Sequence, residues 1–242
     1  MKERLAAFAD DYAVRMSGTE EDGEERRRLR HPLVYLFLGE RAKEALELVY
    51  EANRTQWAYP EAVMYLYAGK GEPGISGNGG LFVWRPPMPA EPEDKRLVRS
   101  ILPKALFRDD SKLAELNLQL RRLGDRIGEC GRLYGSLQRL QLVVVTRADD
   151  PCNSSLPELT VLAKSVFAES FRTVSCDLFV LLKEKQTGGD YAYDAAAGVS
   201  FLYELDQLQS RSFRLEAESL VTADGLRRRP CTRLRRCSIR PI

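Results

Sequence analysis

The chain has one histidine, His31, so a histidine-rich metal site is excluded. No apolar run approaches the ~20 residues that a membrane-crossing helix needs. The first residues, Met1 to Leu5, mix charges without the hydrophobic core of a secretory signal. The expectation is a cytoplasmic protein with no membrane span. Its five cysteines, Cys130, Cys152, Cys176, Cys231 and Cys237, are odd in number and contain no Cys-x-x-Cys pair. Neither a disulfide framework nor a zinc site is expected, and buried, reduced thiols are the plain reading.

The sequence also lacks most of the short motifs that announce chemistry. No Gly-Lys-Ser/Thr occurs, so there is no P-loop. No Asp-x-Ser-x-Ser metal motif follows the first apolar run, and the glycine string GGGTGTG of tubulin-type loops is missing. His31 has no nucleophile placed beside it by the sequence, and a general base needs such a partner. It reads as a histidine leading into a strand.

What is present is ordinary globular material: 242 residues, 44% hydrophobic and 30% charged. The length suits one large domain or two small ones. Charge is unevenly spread. Residues 226–242 hold seven of the 37 basic residues and no acid, which leaves 30 bases against 35 acids in the rest. Their abrupt change of character, with Cys231 and Cys237 among the arginines, predicts a disordered end outside the fold, an aberrant or truncated terminus. An acidic body with one basic end is not the broad basic face of a dedicated nucleic-acid binder.

Periodicity sets out the domain plan. Residues 1–30 comprise an amphipathic helix over 3–16, with Leu5, Phe8, Tyr12 and Met16 on one face, and a charged linker. Residues 31–225 read as an α/β domain. Leu33–Leu38 and Val63–Ala68 are short continuous apolar runs of the kind buried in parallel sheets, with a helix between them from about Glu40 to Asn53. Leu81–Trp84 is a third, short strand before the prolines at 86, 87 and 89. A helical insertion is expected at about 94–140. A strand at 141–146, a helix from Ser155 to Phe171, a strand at 174–182, a helix at 194–209 and an edge strand near 213–217 follow. Ser155-x-x-Glu158 has capping-box spacing. The order β-α-β, helices, β-α-β-α-β predicts a doubly wound, mostly parallel sheet with helices on both faces.

Three features bear on function. The first is Gly69-Lys70-Gly71-Glu72-Pro73-Gly74, which has the spacing of a dinucleotide fingerprint after a strand. No helix opens at its third glycine, so the free N–H groups and dipole of a helix start are missing. A mobile hairpin connection is the competing reading, and no cofactor-binding residue is assigned there.

The second feature is the group Asp149, Asp150 and Asn153, just past the clearest strand, with Glu40 past the first. Ligands of open α/β sheets bind outside those strand ends. Asp149, Asp150 and Glu40 are therefore the candidate metal ligands, for Mg²⁺ through oxygen. The same residue types also make turns and caps.

The third is a seam of Leu113, Leu116, Leu120, Leu123, Ile127, Cys130, Tyr134 and Leu137 at alternating three- and four-residue steps. It offers residues 112–140 as a surface shared between the chain's own core and a second copy or another protein. The leading expectation is a non-enzymatic interaction or scaffold protein. The alternative is a divergent nucleotide- or Mg²⁺-binding α/β protein that uses the sheet's C-terminal edge.

Overall fold

The computed structural model of the protein describes residues 30–56, 59–75, 80–87, 97–182 and 191–209, with three two-residue strands at 220–221, 227–228 and 238–239. The helix expected at 3–16, nearly all of the charged linker, the strand expected near 213–217 and most of the arginine-rich end lie outside the described residues. Among them, no helix is long and apolar enough to cross a membrane.

The fold is α/β, built on a parallel sheet. Its strands are β1 (Leu33–Leu38), β2 (Val63–Ala68), β3 (Leu81–Trp84), β4 (Arg139–Arg147) and β5 (Thr173–Leu181). They stand in the order β3-β2-β1-β4-β5, all in parallel register. Three two-residue strands follow in the chain, β6 (Leu220–Val221), β7 (Arg227–Arg228) and β8 (Ser238–Ile239). β8 continues the sheet beside Asp177–Leu178, whereas β6 and β7 pair antiparallel in a separate ribbon. Parallel pairing of β2 with β3 corrects the hairpin reading of the glycine loop, because a hairpin joins antiparallel strands.

Alternation along the strands divides the core in two. Leu33 and Phe37 of β1, Val63, Tyr65 and Tyr67 of β2, and Val143 and Val145 of β4 pack with α1 (Lys43–Gln56) through Ala45, Leu46 and Tyr50. Val34, Leu36 and Leu38, with Met64, Leu66, Leu142 and Val144, belong to the other cluster. That cluster also takes in α2 (Val98–Arg108), α3 (Asp110–Glu129), α4 (Leu156–Phe167) and the inner side of α5 (Tyr191–Gln209). A strand with apolar residues on both faces can satisfy both only between two layers of helix, which is why the runs at 33–38 and 63–68 carry no polar alternation.

The region expected as a helical insertion is the connection from β3 to β4. α2 keeps Pro103 inside it, and Asp109 then caps α3 by accepting from Lys112 N at 3.0 Å. The seam lies against the sheet. Leu113, Leu116, Leu120, Leu123, Ile127, Cys130 and Tyr134 are 0–8% exposed and belong to the main core. The face that the sequence offered for pairing with a second chain is thus taken up by the chain's own sheet, and among the described residues of the seam helix and the turn after it only Leu118 and Leu137 stay exposed as large apolar side chains.

The helix is also shorter than the seam. It ends at Glu129, and Tyr134 reaches the core from the following turn by donating its hydroxyl to Ala62 O at 2.7 Å. Among the described residues, a Cβ at Gly124 or Gly128 would meet nothing within 4 Å, so these glycines serve no close packing there.

Candidate functional site at the sheet's C-terminal edge

All five long strands end on one edge. The chain proceeds from β1 to β2 and β3 on one side of the sheet and to β4 and β5 on the other, so the order reverses between β1 and β4. Open α/β sheets bind ligands in that crevice. Two loops meet there: Gly39–Arg41 after β1, and Ala148–Asn153 after β4. The sequence-based candidates Glu40, Asp149 and Asp150 therefore do lie on one edge of the sheet.

Asp150, 1% exposed, ties the two loops together. Its Oδ2 accepts from the backbone N–H of Arg41 at 2.8 Å, and its Oδ1 from that of Cys152 at 2.9 Å. The second bond caps the short 3-10 turn at Pro151–Ser155. Burial raises the pKa of this carboxyl against the pull of the two N–H groups. The same burial, with the Asp150 charge beside it, pushes the Cys152 thiol up. Gly39 makes room for the carboxylate. Its φ of 96° and ψ of 159° fall in a region open essentially to glycine, and a Cβ there would overlap the Asp150 carboxyl.

Asp149 is held by two arginines. Arg41 Nη1 lies 2.8 Å from its Oδ2, and Arg147 donates Nε to its Oδ1 at 2.9 Å. Arg41 also donates to Asp149 O at 3.0 Å and, through Nη2, to Asp194 Oδ1 of α5 at 2.8 Å.

Glu40 turns to the glycine loop instead. It accepts from Gly71 N at 2.8 Å and from the Tyr67 hydroxyl at 3.0 Å, and the Gly71 N–H is the main cause of its lowered pKa. Burial first, and then the bond to Glu40, raise the pKa of Tyr67. Gly74 N donates to Glu47 Oε1 at 2.9 Å. The loop that resembles a dinucleotide fingerprint thus gives two of its N–H groups to carboxylates on and just before α1.

α5 lies across this edge. Asp194 meets Arg41, a Cβ at Gly198 would stand 3.8 Å from that of Ala148, and Glu204 pairs with Arg99 at 2.6 Å. Arg99 also hydrogen-bonds Asn153 Oδ1 and stacks its guanidinium over the Phe201 ring. Asn153 in turn donates to the carbonyls of Arg147 and Ala148 at 3.0 and 2.8 Å. Among the described residues, no group of three or more His, Cys, Asp or Glu is placed to hold a metal ion. As arranged, the three candidate carboxylates cross-link loops and cap a turn.

Other expectations divide. Ser155 makes no side-chain cap, and Glu158 Oε2 finds no partner among the described residues, so the capping box does not form; Asp150 opens the turn instead. Burial, with Glu204 as a lesser cause, raises the pKa of Glu158. His31 sits before β1, at the opposite end of the strand from Glu40, with a lowered pKa caused first by burial.

Arg41, Arg99, Asp194 and Glu204 were not singled out from the sequence. The one available signal was Asp194, the only charge in the first half of α5. No protein-family model matches the chain, and neither the curated proteins nor the solved structures give a match.

Proposed function

We propose that the chain is a non-enzymatic interaction protein whose sheet edge is closed by its own helix and whose contacts with a partner run through the outer side of that helix. One observation carries the reading. α5 faces inward with the ion pairs to Arg41 and Arg99 and outward with three large apolar side chains. Val199 is 67% exposed, Leu202 46% and Tyr203 69%.

The closure is firm in physical terms. Phe201 and Leu205 of α5 are 1% and 5% exposed. Burying two such side chains contributes roughly 3–6 kcal/mol. The two ion pairs are partly exposed and add about 1 kcal/mol or less each. A ligand that had to displace α5 would need roughly a 10²–10⁶-fold preference for the open form just to offset this.

A thermal-shift panel of nucleotides with and without millimolar Mg²⁺ tests the proposal. No stabilisation of the parent protein is expected. A ligand that raises the melting temperature of the parent, but not that of Arg41→Gln, would refute closure and favour the nucleotide- or Mg²⁺-binding alternative.

A further inference from the structure

We propose that the seating of α5 over the strand ends is proton-dependent: with Glu158 neutral the whole helix docks, and with Glu158 ionised its second half, residues 201–209, opens to let water reach the carboxylate. The proposal rests on the closure described above and adds its regulation.

The geometry begins in the first turn of α4, where Glu158 follows the short turn Pro151–Ser155. Its Oε2 is buried and has no hydrogen-bond partner among the described residues. An ionised carboxylate there loses hydration and gains no counter-charge. Its own backbone N–H is the compensation that it has.

α5 is fastened at the same place. Arg99 of α2 gives Nη2 to Glu204 at 2.6 Å and Nη1 to Asn153 Oδ1, and lies over the ring of Phe201, which is 1% exposed. The pairing fixes Glu204 where its charge acts on Glu158, and among the described residues Glu204 is the charged group that does so. The preceding turn brings Cys152, Asn153, Ser154 and Ser155 and no charge, and Lys164, the base of α4, stands in the last turn of that helix.

A proton on Glu158 therefore relieves two penalties together, the buried charge and its repulsion from Glu204. Ionisation restores both, and the relief left is local opening. Asp194 still ties the first half of α5 to Arg41. Movement of residues 201–209 hydrates Glu158 without disturbing a strand. Phe201 and Leu205 keep the open form a minor one, and the proton sets how minor.

The docked form holds the Glu158 proton more tightly than the open form, in which the carboxyl is hydrated. Docking is thus strongest below the ordinary glutamate value of ~4.3 and weakens as pH rises through the docked-state value, by at most about tenfold per pH unit for one proton.

Amide hydrogen exchange of the full chain between about pH 4.5 and about pH 8, corrected for the intrinsic pH dependence of exchange, tests this. An NMR titration of the Glu158 side-chain carboxyl accompanies it. Protection of residues 201–209, taken relative to the amides of β4, should fall as pH rises and follow the Glu158 titration. In Glu158→Gln it should hold the parent's acid-side value throughout. In Glu204→Gln the Glu158 carboxyl should titrate lower than in the parent yet still above ~4.3, because burial is the first cause of its shift.

Constant relative protection in the parent, a fall that persists in Glu158→Gln, or a Glu158 carboxyl that titrates at ~4.3 overturns the proposal. Those outcomes leave the closure reading standing, which falls on the nucleotide and Mg²⁺ panel instead.

Discussion

Replacing Asp150 by asparagine tests whether this carboxylate is structural. The side chain is 1% exposed and accepts two backbone N–H bonds, from Arg41 and from Cys152. Asparagine keeps one oxygen, so its NH₂ group must face one of those two donors. Leaving one buried N–H unpaired costs about 1–3 kcal/mol. Part of that is offset, because the substitution also removes the cost of burying a charge, which is what holds the Asp150 pKa up. A net loss of about 1–2 kcal/mol at neutral pH is expected, or a melting temperature lower by roughly 2–8 °C for a chain of this size.

The pH dependence gives a second check. A carboxyl with a raised folded-state pKa contributes most below its unfolded value, ~3.9, and loses that contribution as pH rises through the folded value. The deficit of Asp150→Asn should therefore be widest in acid and narrow toward neutral pH. Asp150→Ala strands both N–H groups and should cost more. Gly39→Ala should also destabilise the protein, from its backbone angles and from the overlap with the Asp150 carboxyl. In an Asp150→Ala background only the backbone part should remain, so the two changes should be less than additive. Urea and thermal denaturation measure all of these. An Asp150→Asn variant as stable as the parent across the pH range would refute the structural assignment.

Leu120→Lys with Ile127→Lys should unfold or aggregate the chain, since the two side chains are 2% and 0% exposed. A folded protein by circular dichroism would contradict burial of the seam. Glu158→Gln should raise the melting temperature at neutral pH, because Glu158 is held above its usual pKa by burial and its Oε2 has no partner among the described residues. Its advantage should fade as pH falls through the folded-state pKa to the unfolded value, ~4.3; a variant that is less stable at pH 7 would contradict this. Glu40→Gln should behave oppositely, because the Gly71 N–H lowers the Glu40 pKa. Its deficit should be present above ~4.3 and vanish as pH falls through the folded value; a deficit that persists in strong acid would point to packing instead of charge.

The strands were legible because a parallel sheet needs little beyond apolar continuity. Leu33–Leu38, Val63–Ala68 and Leu81–Trp84 stand where the runs predicted them, and the segments at 141–146 and 174–182 became the nine-residue strands 139–147 and 173–181. The long helix was overextended because core packing continues after the helix stops. Tyr134 keeps the apolar rhythm from a turn, and a rhythm in sequence does not reveal which backbone carries it. The inward face of α5 was not legible for a related reason. Apolar residues at a helical spacing include both Val199 and Leu202, which face out, and Ala197, Phe201 and Leu205, which face in. In an alanine-rich helix with apolar residues on every side, composition leaves the inward direction undetermined, and the ion pairs at Asp194 and Glu204 fix it.

The candidate site shows where reading polar residues from sequence must divide. Aspartates after a parallel strand are what a ligand site needs, and also what a tight turn needs, because both tasks call for a carboxylate among backbone N–H groups. In this fold the arginines take up these side chains. Arg41 spans Asp149 and Asp194, and Arg99 spans Asn153 and Glu204. Each thus joins the loop after β4 to α5, two parts of the chain separated by more than forty residues. Pairing at that distance in sequence follows only from the sheet order, which sets β1 beside β4 and so brings Arg41 to Asp149. A helix laid over the strand ends then uses its inward carboxylates to complete the network. Its outward apolar residues find no cover among the described parts of the chain. The placement that lays α5 over the strand ends also presents Val199, Leu202 and Tyr203 to solvent.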